Sequence, residues 1–120
     1  MTSIIPTFDY LATPYANYDG GLEKAYHDAR LIVVSFAARG KSIYSPIVYW
    51  HPVARVSDID PIDDKIWLPL DMPFMTAAEA LIVGMLPGWK QSKGVRAEIA
   101  HFEEHGKPIS YYDPQEGMFE

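Results

Sequence analysis

Ala80-Leu-Ile-Val-Gly-Met-Leu86 runs directly into Pro87-Gly-Trp-Lys-Gln-Ser-Lys-Gly94 and then into Val95 to His105, and this succession decides the fold. Seven nearly all-apolar residues have the composition of a central parallel strand covered on both faces. The stretch with Gly88 and Gly94 reads as a loop, and Val95, Ile99 and Phe102 form one stripe of a helix that Gly106 ends. Pro108-Ile-Ser-Tyr-Tyr112 reads as the next strand. Strand, loop, helix and strand together make one crossover unit of a parallel sheet.

Toward the N-terminus the same alternation recurs. Phe8 to Ala12 reads as a buried strand stopped at Thr13-Pro14, and Asn17 to Gly21 is turn chemistry. Leu22, Ala25, Tyr26, Ala29, Val33, Phe36 and Ala37 then keep the i, i+3, i+4 spacing of a long helix, which Gly40 ends. Ser42 to Ser45 is a short strand closed by Pro46. Ile47 to Trp67 has scattered prolines, four aspartates and no sustained period, and reads as a long loop that serves as a lid or lines a site. Pro69 to Ala78 starts a short helix with Asp71 near its head. The order β-α-β-loop-α-β-α-β predicts one α/β domain over 1–120, an open parallel sheet of about four or five strands with helices on both faces. Ligands of such sheets sit beyond the carboxyl ends of the strands, which singles out the loops after the first strand and after Ala80–Leu86.

Composition narrows the partners. The chain has 120 residues, 48% apolar and 22% charged, a balance that supports one packed core rather than disorder. Ten Lys and Arg against sixteen Asp and Glu give a net charge of -6, the wrong sign for binding duplex nucleic acid. The absence of cysteine removes disulfides, thiolate nucleophiles and Cys-ligated metals. Met1 to Pro6 shows no basic region followed by a long apolar stretch, and no run reaches the ~18 apolar residues of a membrane span. A cytoplasmic protein with no membrane partner is the expectation.

Several residues carry candidate chemistry. The Gly88–Gly94 loop, with Trp89 inside it and Arg96 just beyond, leads into a helix that Ser92 is placed to cap; it is either an anion site or a plain capped turn. Glu98 shares the apolar stripe of its helix, as a partly buried functional carboxylate or as a rim residue. Asp71 is either functional or a charge complementing a helix dipole. His51, between Trp50 and Pro52, is a candidate for lining the cleft, and the aromatic rings of Trp50 and Trp67 for stacking on a base. Gly40-Lys41-Ser42 leads from helix to strand and lacks the first glycine of a phosphate loop. His101-Phe-Glu-Glu-His105 matches a zinc-protease spacing, but with no third ligand in view its histidines suit the end of a helix, and no metal or other cofactor is expected.

Tyr10-Leu-Ala-Thr-Pro-Tyr15, Leu86-Pro-Gly-Trp-Lys-Gln-Ser-Lys-Gly-Val-Arg-Ala-Glu98 and Gly106-Lys-Pro-Ile109 together resemble the nucleoside 2-deoxyribosyltransferase-like superfamily, most closely its DUF1937 group. The resemblance runs from Tyr10 to Tyr112, outside the 47–67 loop, and implies a Rossmann/flavodoxin-like fold. It implies an N-glycosidase or glycosyltransferase acting on a nucleoside or nucleoside 5′-monophosphate. Glu98 would be the nucleophile, Tyr10 would position it, Asp71 would contact the base, and Ser92 with the Gly94 amide would hold a 5′-phosphate. Gly88, Trp89, Arg96, Thr13 and His51 would complete the pocket. A helix-start position close to Arg96 favours an ionised Glu98. Thr13 and Tyr15 stand where many relatives carry small residues. Self-association into a homodimer or larger assembly is expected, since relatives usually associate. The competing readings are a non-catalytic nucleotide-binding or sensing module and an interaction protein.

Overall fold

The computed structural model describes residues 6–120; Met1 to Ile5, part of the lead segment read above, lie outside the described residues. Five strands form one sheet in the order β2-β1-β3-β4-β5. They are β1 (Asp9–Ala12), β2 (Ile43–Tyr44), β3 (Ala80–Gly84), β4 (Ile109–Asp113) and β5 (Met118–Phe119). The first four are parallel; β5 turns back antiparallel on β4. This is the flavodoxin-like strand order with its last strand reversed.

The helices follow from the handedness of the crossovers. The chain leaves β1 in one direction to reach β2, then crosses back to β3 and continues to β4. Right-handed crossovers in opposite directions put their helices on opposite faces. On one face α1 (Leu22–Ala38) packs Ala25, Ile32 and Phe36 against Leu11, Ile82 and Tyr112. On the other, α3 (Asp64–Ala77) and α4 (Lys93–Glu104) bring Met75, Val95 and Phe102 against Tyr10, Ala12, Leu81 and Val83. The pleat explains the division: along β1, Tyr10 and Ala12 face one layer and Leu11 the other. No helix among the described residues is long and apolar enough to cross a membrane.

The expected 47–67 loop is corrected. Pro46–Arg55 is a helix, α2, started by Ser45, whose hydroxyl accepts from the Val48 amide at 3.1 Å, with Pro46 in the first turn. Serine followed by proline is a helix start as much as a strand stop. Only 56–63 is irregular before Asp63 caps α3 through the Lys65 amide. Proline inside a helix breaks a hydrogen bond, so Pro52, Pro69 and Pro73 hid both helices from a reading by period. All three are exposed, where water can serve the carbonyls left without donors. The β3 strand ends at Gly84 rather than at Leu86, which turns into the α1-side core. One further side chain ties the layers together. Lys107 Nζ donates to the carbonyls of Met75, Thr76 and Ala78 at 3.1, 2.6 and 2.7 Å, closing the C-terminus of α3 with a cation.

Gly84 is the tightest point between β1, β3 and α1. A Cβ there would lie 2.8 Å from the Thr13 methyl and 2.9 Å from Ile32 Cδ1. Gly84→Ala is therefore expected to destabilise the fold by about 1–3 kcal/mol through overpacking. Chemical denaturation checks this, and an unchanged midpoint would contradict the packing described.

Candidate functional site

Parallel register sets the site's frame. Tyr10 of β1 pairs with Tyr44 of β2 on one side and Leu81 of β3 on the other, so the two tyrosines stand side by side under α3 and α4. Their ring centroids are 5.6 Å apart, and Tyr10 also meets Phe102 of α4 at 5.7 Å. Into this aromatic floor each covering helix lowers one carboxylate. Asp71 comes from the middle of α3 and Glu98 from the second turn of α4, and each is only 8% exposed.

Asp71 is held through a single oxygen. Trp50 Nε1 donates to Oδ1 at 2.8 Å and the Tyr44 hydroxyl donates to the same atom at 3.2 Å. With both donors on Oδ1, a proton taken up by the carboxyl has Oδ2 as its site. Burial pushes Asp71 up to about 6, against the lowering effect of those two hydrogen bonds. Glu98 is pushed up to about 8, first by burial, with the Tyr10 hydroxyl lowering it and the Asp71 charge raising it. The Tyr10 hydroxyl is buried and makes no hydrogen bond of good geometry, yet it lies close enough to Glu98 for each to bear on the other's ionisation. Burial, then Glu98 and Asp71, push Tyr10 far above the usual phenol range, so it remains a donor.

Two expectations about charge are therefore corrected. Glu98 is not held ionised by a helix start or by Arg96: burial outweighs the dipole, and Arg96 Nε donates at 2.9 Å to the Lys90 carbonyl. Asp71 is not at the head of its helix, because α3 begins seven residues earlier at Asp64; it lies on the buried face.

The Gly88–Gly94 loop forms the capped turn that both of its readings share. Ser92 caps α4, its hydroxyl accepting from the Val95 amide at 3.3 Å, and Gly94 is the second residue of that helix. Gly88 has the positive φ of 83° that the turn requires, and Trp89 packs on Tyr111 with centroids 5.5 Å apart. Gly88 and Trp89 border a cleft of about 1030 Å³ that also touches Lys24, Arg39 and Tyr112. Glu98, Tyr10 and Asp71 do not line that cleft. Thr13 is buried after β1 with its hydroxyl unpartnered.

His51 turns away from Glu98 and Asp71. Its contacts include Tyr15, whose hydroxyl is 2.6 Å from Nδ1, Tyr26, on which its ring stacks at 4.5 Å, and a Glu23 carboxylate oxygen 3.2 Å from Nε2. Trp50, read as a base-stacking residue of a loop, is instead the principal partner of Asp71, and Tyr44 is the other. Sequence reasoning missed Tyr44 as a site residue and gave Trp50 a different role. The signal for Tyr44 was present, since parallel pairing of the first two strands brings it beside Tyr10; Trp50 needed α2 to be recognised. His101 and His105 stack at 4.2 Å on the last turn of α4, and no group of three metal-ligating side chains gathers among the described residues.

The pH dependence of stability follows from these shifts. A carboxyl whose folded pKa is raised favours the fold in its protonated form, so the contribution is full below its ordinary value and is lost as pH rises through the folded one. For Asp71 the loss runs from 3.8 to about 6, and for Glu98 from 4.5 to about 8. Thermal unfolding of the wild type is expected to show stability falling on up to pH 8, by on the order of 3–5 kcal/mol from Glu98. Glu98→Gln should be flat between pH 6 and 8, and parallel curves for the two proteins would refute this assignment. Trp50→Phe removes a donor from Asp71 and is expected to raise that carboxyl further, by roughly one pH unit. A carboxyl carbon titration by NMR reads this directly, and an unmoved Asp71 would contradict the geometry.

The family model described as Domain of unknown function (DUF1937) matches residues 7–114. No curated protein matches the chain. The span of the match covers every element but β5, and the chain belongs to the DUF1937 family.

Proposed function

We propose that this DUF1937 domain is an N-glycosidase or glycosyltransferase of the nucleoside 2-deoxyribosyltransferase-like superfamily, acting on a nucleoside or nucleoside 5′-monophosphate through Glu98. One observation carries the reading: two buried carboxylates, Glu98 and Asp71, approach a tyrosine pair from neighbouring helices with their pKa values moved to either side of neutrality. Pairs of carboxyl groups with different protonation are what cleavage of a glycosidic bond uses, one to meet the electron-poor sugar carbon and one to handle the leaving group's proton.

Near pH 7 the pair holds about one proton, resting on Glu98, while Asp71 is the anion. Nucleophilic attack needs the reverse. Moving the proton from Glu98 to Asp71 runs against the order of the two acids. A substrate offsets this from both ends. Positive charge growing at the sugar's anomeric carbon favours an ionised Glu98, and a base nitrogen that needs a proton gives Asp71 Oδ2 an acceptor. The Tyr10 hydroxyl supports the Glu98 anion. Glu98 then bonds the anomeric carbon as the base leaves with the proton from Asp71. Asp71, now a base, takes a proton from water in a hydrolase, and the resulting hydroxide equivalent displaces Glu98 from the sugar; in a transferase the incoming base fills that role.

The experiment is incubation with ribo- and deoxyribonucleosides and their 5′-monophosphates, with and without free acceptor bases, followed by chromatography for the liberated or exchanged base. Expected are turnover by the wild type and a loss of about 1,000-fold or more in Glu98→Gln. The kcat/KM profile should be bell-shaped with its maximum between about pH 6 and 8, and Asp71→Asn should abolish one limb. Full activity in Glu98→Gln overturns the proposal. Binding of a monophosphate without release of base, unaffected by Glu98→Gln, would favour the non-catalytic module instead.

A further inference from the structure

His51 and its surroundings are not used by the carboxylate pair, and they form a second polar constellation. The imidazole is 5% exposed, stacked on Tyr26 of α1, and held at Nδ1 by the Tyr15 hydroxyl at 2.6 Å. Burial keeps Tyr15 protonated and His51 neutral. The phenol therefore donates to Nδ1, and the ring's own proton is on Nε2. Among the described residues that buried N–H finds no hydrogen bond of good geometry, although a Glu23 carboxylate oxygen lies 3.2 Å away. The same Glu23 oxygen pairs with Arg55. Glu23 and Arg55 are both 61% exposed side chains, free to separate. Around them opens a cleft of about 560 Å³, lined also by Asp58 and Asp60. It lies at the start of α1, whose N-terminus has no side-chain cap.

We propose that this cleft binds a small monocarboxylate, whose oxygens take the position between His51 Nε2 and Arg55 that the Glu23 carboxylate now fills. Two donors face one cleft: the buried His51 Nε2, with a Glu23 carboxylate oxygen at 3.2 Å but no hydrogen bond of good geometry, and the exposed Arg55 guanidinium that pairs with the same Glu23. An untethered carboxylate can align with both, and it adds the favourable start of α1. Asp58 and Asp60 repel a doubly charged oxyanion more strongly than a singly charged one, which favours a monocarboxylate over the phosphate dianion. The volume suits a small molecule. Glu23 is then an internal competitor, displaced into solvent on binding.

The test uses the full chain labelled with ¹⁵N, reading the His51 ring nitrogens while acetate, glycine and, separately, inorganic phosphate are titrated at constant ionic strength. Acetate and glycine are expected to shift Nε2 saturably and phosphate to leave it unmoved. Glu23→Gln, a change at an exposed position that should fold normally by circular dichroism, is expected to tighten binding about 3- to 10-fold; Arg55→Met should weaken it about 10-fold or more. The proposal is overturned if neither carboxylate shifts His51 saturably in the wild type or in Glu23→Gln, or if phosphate binds as tightly. None of these readings depends on turnover at Glu98.

Discussion

The parallel pairing of β1 with β2 on one side and β3 on the other is the constraint on which the rest of the molecule depends. Tyr10, Leu11 and Ala12 have no exposure at all, because each is covered by a neighbouring strand and by a helix layer. The crossovers change direction at this strand, and that change alone sends α1 to one face and α3 and α4 to the other. It also fixes Tyr10 beside Tyr44 by register. A slip of one residue would turn Tyr10 to the α1 side and leave both carboxylates without their aromatic floor.

What could be read in advance divides along physical lines. The strands of the sheet's centre carry continuous apolar runs, α1 a regular apolar period and α4 a stripe broken at Glu98 alone, and those survive any tertiary context. Pro52, Pro69 and Pro73 interrupt the period of α2 and α3 without breaking either helix, since each faces water. The same misreading displaced Asp71 from mid-helix to a helix head, and with it the reason for its charge. β5 has two residues, both exposed, and its pairing to β4 depends on the Asp113–Gly117 turn rather than on any pattern of its own. Glu98 stood out because it interrupts an apolar stripe, and burial is where the stripe puts it. Its protonation was not legible, since nearby charges are visible in a sequence while desolvation requires knowing what covers the group.

Desolvation governs the carboxylate pair. Each acid is taken from water by a helix packing on the sheet, and among the described residues neither pairs with a cation there: Lys107 is committed to the end of α3 and Arg96 to Lys90. A buried pair of acids without a counter-cation responds by retaining a proton. The asymmetry between the two then comes from donors. Asp71 has an indole and a phenol on one oxygen and stays the stronger acid; Glu98 has only the imperfectly placed Tyr10 hydroxyl and feels the Asp71 charge besides.

That asymmetry bears on how α3 is built. The helix buries Asp71 and Met75 while leaving Ile66, Leu68, Leu70 and Met72 at 36–42% exposure. An apolar residue at 71 would fill the same space without desolvating a carboxylate, and substitutions of buried charge by packed apolar groups are commonly neutral or stabilising. The chain instead places a carboxylate at the centre of the inward face and apolar groups on its flanks. It then brings α2 across to supply Trp50 to that carboxylate, using a ten-residue helix to do so. A local choice that opposes packing, supported by a second element, is what the proposed role of Asp71 in chemistry requires and what stability alone does not. Glu98 makes the same exception on α4, and the two exceptions meet over the same pair of tyrosines.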